Sequence, residues 1–233
     1  MRILGLETST HFGSVALIDD TRLIAEYRIS LKMKHAERLL PLIDILLKES
    51  KVSLSDLNAI AVSIGPGSFT GLRVGLSTAK GLAIGRGLPL FPIPTLEAMV
   101  VPFCHANAVV VPLITARKGE VYWAIFSPEG VRLYPDSVGL VENVLQIITQ
   151  EKVLFVGDGA ILHHDKIVTD FQGMALFPSI GMQFPFASSV AQMGRARLMN
   201  REAPSAEDGY DPCAVVPVYL HEVSHSQMSG KSA

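Results

Sequence analysis

The 233-residue sequence predicts an α/β protein of two tandem units, each a mixed sheet covered by helices. Three observations predict it. Short apolar runs of strand length alternate with longer segments of helical periodicity. The order three strands, helix, strand, glycine turn, helix occurs twice, the second time from residue 108 onward. The composition is apolar, 48% hydrophobic against 18% charged with a mean hydropathy of +0.34, which suits a large core. A membrane is not where that surface goes: the richest stretches, such as Ala108 to Ile114, are short and broken by Pro112, whereas a span needs about 20 apolar residues. Glu7 interrupts the N-terminal run where a signal peptide needs continuity. The surplus belongs in a core, a partner interface, or both.

In the first unit, Ile3 to Thr8, Ser14 to Ile18 and Leu23 to Ile29 read as strands, with turn chemistry at Asp19-Asp20-Thr21. From His35 to Glu49, Ala36, Leu39, Leu40, Ile43, Leu46 and Leu47 recur at helical spacing. Leu42 and Ile45 widen that stripe, as in a helix covered on more than one side. Asn58 to Ile64 is a short buried strand, followed by a glycine turn and a helix from Thr70 to Gly85. Pro89, Pro92, Pro94 and Pro102 mark the junction. In the second unit, Ala108 to Thr115, Glu120 to Ser127 and Val131 to Tyr134 read as strands, turning at Pro128-Glu129-Gly130. A helix follows over Leu140 to Gln150, then a strand over Lys152 to Val156 that ends in Gly157-Asp158-Gly159. A helix over Ala187 to Asn200 and an apolar stretch over Val215 to Leu220 close the pattern. The polar tail Ser224 to Ala233 is expected to fray.

Charge narrows the partners. Lys plus Arg is 20 against 22 Asp plus Glu, a net of −2 with no basic run. A chain that grips many phosphates carries a basic face, so this balance argues against strong direct nucleic-acid binding. Cys104 and Cys213 lie far apart without CxxC spacing and read as two free core thiols in a reducing cytosol.

Gly65-Pro66-Gly67 sits between a strand and a helix, where glycines permit a tight turn or close approach to an anion. Its spacing is neither the dinucleotide fingerprint nor a P-loop, and it does not decide between a structural turn and an anion site. In the helix that follows, Gly71, Gly75 and Ala79 fall four apart, and Gly81 and Gly85 lie further on. Mid-helix glycines cost about 1 kcal/mol each relative to alanine, and small residues at this spacing let another backbone approach. The helix packs either on its own sheet or on a partner. The second mixed surface at Arg73, Val74, Ser77 and Thr78 favours the partner. His221-Glu222-Val223-Ser224-His225 matches the zinc-protease pattern, but residues 226–233 supply no third ligand and Pro217 to Leu220 favours an extended chain. His163-His164-Asp165 reads as a solvated turn, and no serine-hydrolase elbow occurs.

The segments I-L-G-L-E-T-S-T at 3–10, G-P-G-S-F-T-G-L-R-V-G at 65–75, T-L-E-A at 95–98, A-R-K-G-E-V-Y-W-A at 116–124 and P-V-Y-L at 217–220 together resemble the bacterial TsaB family, also called YeaZ. The resemblance covers essentially the whole chain. It implies two ribonuclease-H-like domains of the actin/Hsp70-like ATPase superfamily, one over 1–106 joined by the segment 213–225, and a smaller one over 107–212. It implies a cytoplasmic, non-catalytic scaffold and activating subunit of the complex that places threonylcarbamoyl on adenosine 37 of transfer RNAs reading codons that start with A.

The implied partners are TsaD, as a heterodimer, and TsaE. The chain alone would pair with itself and reach transfer RNA only indirectly. The implied TsaD interface combines His35, Leu39, Leu42, Ile43 and Leu46 with Gly71, Arg73, Val74, Gly75, Thr78, Ala79 and Leu82. Glu7, Thr8, Ser9, Gly65, Pro66, Gly67 and Ser68 would be remnants of a phosphate site. No cofactor or metal is expected on this chain alone, with ATP or ADP at the boundary with TsaD. Alignment puts TsaD's paired metal-binding histidines at Thr95 and Met99, which cannot replace two imidazoles. Thr115 stands where the family's second domain carries Asp, Glu7 where its first strand ends in Asp, and His221 where its terminal motif ends in Arg. The rival expectation is a free-standing ATPase or a metallopeptidase using the residues from His221 to His225.

Overall fold

Two-residue alternation lets the first sheet bury both faces. A computed structural model describes residues 1–30, 35–149, 152–200 and 211–220. β1 (Arg2–Glu7), β2 (Phe12–Asp19), β3 (Arg22–Ser30), β4 (Ala59–Gly65) and β5 (Leu90–Pro94) form a sheet in the order β3-β2-β1-β4-β5. The hairpin strands are antiparallel, and β4 and β5 run parallel to β1. Leu4, Leu6, Ile60 and Val62 face α1 (His35–Glu49) and α2 (Phe69–Arg86), which bury Leu39, Ile43, Leu46, Leu76 and Ala79 against them. Ile3, Ala59, Ala61, Phe91 and Ile93 form the opposite face.

The second sheet repeats the topology. β6 (Val109–Thr115), β7 (Glu120–Phe126), β8 (Arg132–Leu140), β9 (Val153–Val156) and β10 (Ala175–Leu176) lie in the order β10-β9-β6-β7-β8, with matching strand directions. One face is covered by α4 (Val141–Ile147), α5 (Asp158–Leu162) and α6 (His164–Phe171). The other is covered by α3 (Thr95–Val100) and the turn Val101–Phe103. The expected α/β class with two mixed sheets is the observed one.

The last helix departs from expectation. α7 (Ala187–Met199), assigned from sequence to the second unit, packs on the first sheet against β1, β2 and β4. The cause is a matched set of small residues. A side chain at Gly5 would strike Ala187 and Ala191, and one at Gly194 would strike Ala61. The helix start is fastened there as well: Ala187 N donates to Ser14 Oγ at 3.1 Å, and Ser188 N and Oγ donate to the Glu26 carboxylate at 3.1 and 2.8 Å. A carboxylate at a helix N-terminus is favourably placed.

β5 and α3 lie inside the proline stretch read as a junction. β5 tolerates Pro92 and Pro94 because it is an edge strand bonded only to β4. His163-His164-Asp165 falls where α5 meets α6: His163 is the turn residue between the two helices, while His164 and Asp165 open α6 with exposed side chains, and the His164 ring contacts Phe177. Cys104 and Cys213 are free, but Cys213 is exposed rather than in the core. Among the described residues no helix is long and apolar enough to cross a membrane.

Candidate functional site

The segments that follow β1, β4, β6 and β9 converge between the two sheets on a cavity of about 460 Å³. Ser9, Thr10, His11, Gly67, Ser68 and Thr70 line it from the first unit; Ile114, Thr115, Ala116, Arg117, Tyr122 and Asp158 line it from the second. The two glycine turns play matching parts. Gly65 ends β4 at φ +118° and Gly157 follows β9 at φ +120°, a region open to glycine. Each has a backbone carbonyl in the space a side chain would need, Val218 O at Gly65 and Leu113 O at Gly157.

Of the seven residues expected to form a phosphate site, Ser9, Gly67 and Ser68 line the cavity, while Glu7, Thr8, Gly65 and Pro66 do not. Glu7 is buried. Its Oε1 accepts from Ser9 N and Ser9 Oγ, both at 2.5 Å, and its Oε2 has no partner among the described residues. Burial pushes its carboxyl pKa up, with the bonds from Ser9 pulling the other way. Thr8 Oγ1 donates to Gly71 O at 2.8 Å, and Ser68 N donates to Ser9 O at 2.6 Å. One N–H of the turn is thus satisfied by the chain's own carbonyl rather than left for an anion.

These contacts correct the reading of the glycine stripe. Side chains at Gly67, Gly71 and Gly75 would collide with Ser9 O, Thr8 O and Thr8 Oγ1 respectively. The stripe is a cradle for the end of β1, not a face for a partner. Ala79, Leu39, Ile43 and Leu46 are likewise buried in the core between α1, α2 and the first sheet, and cannot be contact residues. Leu42, Val74, Thr78 and Leu82 are half-buried and Arg73 is exposed. The His35 side chain lies outside the described residues. The open glycines of α2 are Gly81 and Gly85, where an added Cβ meets nothing within 4 Å. Leu40, Ile45 and Ile84 are exposed on the same two helices.

Thr95 is fully buried and its Oγ1 accepts from Gly65 N at 3.2 Å; Met99 is buried in the core of the second unit. The second unit still offers the cavity a carboxylate beside Thr115, because Asp158 Oδ1 accepts from Thr115 N at 2.9 Å. Burial raises the Tyr122 pKa, with Arg117 opposing. His11, Tyr122 and Asp158 were not singled out from sequence. The repeat held a signal for Asp158, since Gly157-Asp158-Gly159 occupies the place of Gly65-Pro66-Gly67. The residues from His221 to His225, and the tail to Ala233, lie outside the described residues. Among those described, no cluster of three or more His, Cys, Asp or Glu could hold a metal ion.

A family model described as "TsaD: tRNA N6-adenosine threonylcarbamoyltransferase" matches residues 23–200, across both units. A tRNA threonylcarbamoyladenosine biosynthesis protein TsaB from Haemophilus influenzae is 40% identical over 245 residues, covering 99% of this chain and 98% of its own length. The chain belongs to the TsaB family. The TsaB of Bacillus subtilis is 30% identical over 226 residues, covering 94% of both chains. The solved structure of YeaZ from Pseudomonas aeruginosa superposes with a TM-score of 0.76 at 27% identity, covering 94% of this chain and 99% of that one. With the TsaB family comes a role in tRNA threonylcarbamoyladenosine biosynthesis.

Proposed function

We propose that the chain is a non-catalytic scaffold and activating subunit in tRNA threonylcarbamoyladenosine biosynthesis, docking TsaD through the outer face of α1 and α2. The observation that carries the reading is the open glycine pair Gly81 and Gly85, one turn apart with Ile84 beside them. Each exposed glycine costs the isolated helix about 1 kcal/mol against alanine, and what it offers in return is a flat ridge on which another helix backbone can lie. Leu40 and Ile45 are further exposed apolar residues on α1, Arg73 is exposed on α2, and Leu42, Val74, Thr78 and Leu82 are half-buried.

The non-catalytic part of the reading is supported by Thr95 and Met99. A hydroxyl committed to Gly65 N and a core thioether are poor ligands for a hard metal. Glu7 supports it too, being bonded to Ser9 rather than lining the cavity. Any ATP or ADP sits at the boundary with TsaD, TsaE joins the pair, and transfer RNA is reached through TsaD. Without TsaD, the same face pairs two copies of the chain.

The test is Gly81→Leu with Gly85→Leu. The isolated variant is expected to fold as wild type does, because both positions are open, yet to lose co-purification with TsaD and threonylcarbamoyladenosine formation. Wild-type levels of both would sink the reading.

A further inference from the structure

Residues 211–220 form no helix or strand, yet they lie along the first unit from the middle of α2 to the turn after β4. Lys80 Nζ donates to Cys213 O at 3.1 Å, and Val215 is buried in the core beneath α1 and α2. Val218 N donates to Ile64 O at 2.7 Å, and the Val218 carbonyl fills the space beside Gly65. Tyr219 OH accepts from Arg73 Nε at 3.2 Å, its ring lies 5.1 Å from that of Phe69, and the Arg73 guanidinium covers Phe69 at 3.9 Å. The turn is therefore held from two sides, by Val218 on one and by Thr95 Oγ1 on Gly65 N on the other.

We propose that residues 211–220 act as a latch. Seated, the segment holds the turn from Gly65 to Ser68, whose last two residues line the cavity, and the first turn of α2 in one arrangement; unseated, it releases both together. Its attachment is sparse. Val215 is its one buried side chain among the described residues, and most of the segment is exposed. A segment with few buried contacts opens well below the free energy of global unfolding. Gly67 and Ser68 line the cavity while Phe69 and Arg73 stand on the surface of α2. The latch thus touches both the turn that lines the cleft and the first turn of α2, which Ser68 joins as its N-cap.

The test is amide hydrogen exchange on the full chain, comparing wild type with Val215→Asp. Peptides covering 62–73 and 211–220 are expected to exchange together, faster by about tenfold or more, while β6 and β7 keep their protection. Acceleration of 211–220 with no change in 62–73 overturns the proposal, because the segment would then be a passenger. If Val215→Asp accelerates exchange everywhere, Tyr219→Ala decides, since it removes only a half-exposed ring and one hydrogen bond. Acceleration of both peptides supports the latch. Acceleration of 211–220 alone, or of neither peptide, overturns it.

Discussion

Alanine is a better helix former than glycine, yet Gly75→Ala is expected to destabilise this chain. An added Cβ would collide with Thr8 Oγ1, which cannot swing away without losing its 2.8 Å bond to Gly71 O. Overpacking of this kind costs about 1–3 kcal/mol, against a gain in helix propensity of about 1 kcal/mol, so the net loss is about 1 kcal/mol. In a Thr8→Ala background the hydroxyl is gone, and the nearest remaining atom at position 8 is its Cβ at 3.3 Å, a tight contact that a small shift relieves. Gly75→Ala then stabilises by about 1 kcal/mol. The double-mutant cycle therefore carries a coupling of about 2 kcal/mol, with a change of sign between backgrounds. Urea unfolding of the four proteins, at constant m-value, measures it. Far-UV circular dichroism is the appropriate probe, because the single tryptophan, Trp123, sits in β7 of the second unit and reports the wrong core. Stabilisation by Gly75→Ala in the wild-type background refutes the argument and returns the stripe to the outer surface.

Gly81→Ala and Gly85→Ala meet no obstacle, so each is expected to stabilise the isolated chain by up to about 1 kcal/mol in the same titrations. Gly5→Ala drives a methyl group against the backbone of α7, and a loss of about 1–3 kcal/mol is expected because a helix backbone cannot yield as a side chain can; an unchanged midpoint would separate α7 from the first sheet. Glu7→Gln keeps the acceptor for Ser9 and removes a buried titratable carboxyl. Folding raises the Glu7 pKa, so wild-type stability is highest below the ordinary carboxyl value and falls as pH rises through the folded value. The advantage of Glu7→Gln is expected to grow from acid toward neutral pH; growth in the opposite direction contradicts this account of the buried carboxyl.

The strands of both hairpins, α1 and α2 were legible because period-two and helical patterns are local and the apolar residues repeat them. β5 was hidden by Pro92 and Pro94, which exclude a central strand but not an edge. α5, α6 and β10 were hidden by their shortness, since five, eight and two residues are too few to establish a period. The cleft was legible in part. Ser9, after β1, and Gly67 and Ser68, in the glycine turn, follow from the family resemblance, whereas His11, Tyr122 and Asp158 join them only once two sheets face each other.

The sequence by itself determined the two-unit α/β class, the helix carrying a glycine stripe, and the excess of apolar surface that needs a destination. It could not say which way the stripe points. Gly71, Gly75 and Ala79 recur every four residues whether they meet a partner or the end of β1, and Gly81 and Gly85 differ from them only in what stands opposite. Periodicity specifies a face of a helix, but what lies against that face is a contact between residues far apart in the chain. Thr8 against Gly75, Ala187 against Gly5 and Val218 against Gly65 are such contacts, and only the tertiary structure decided them.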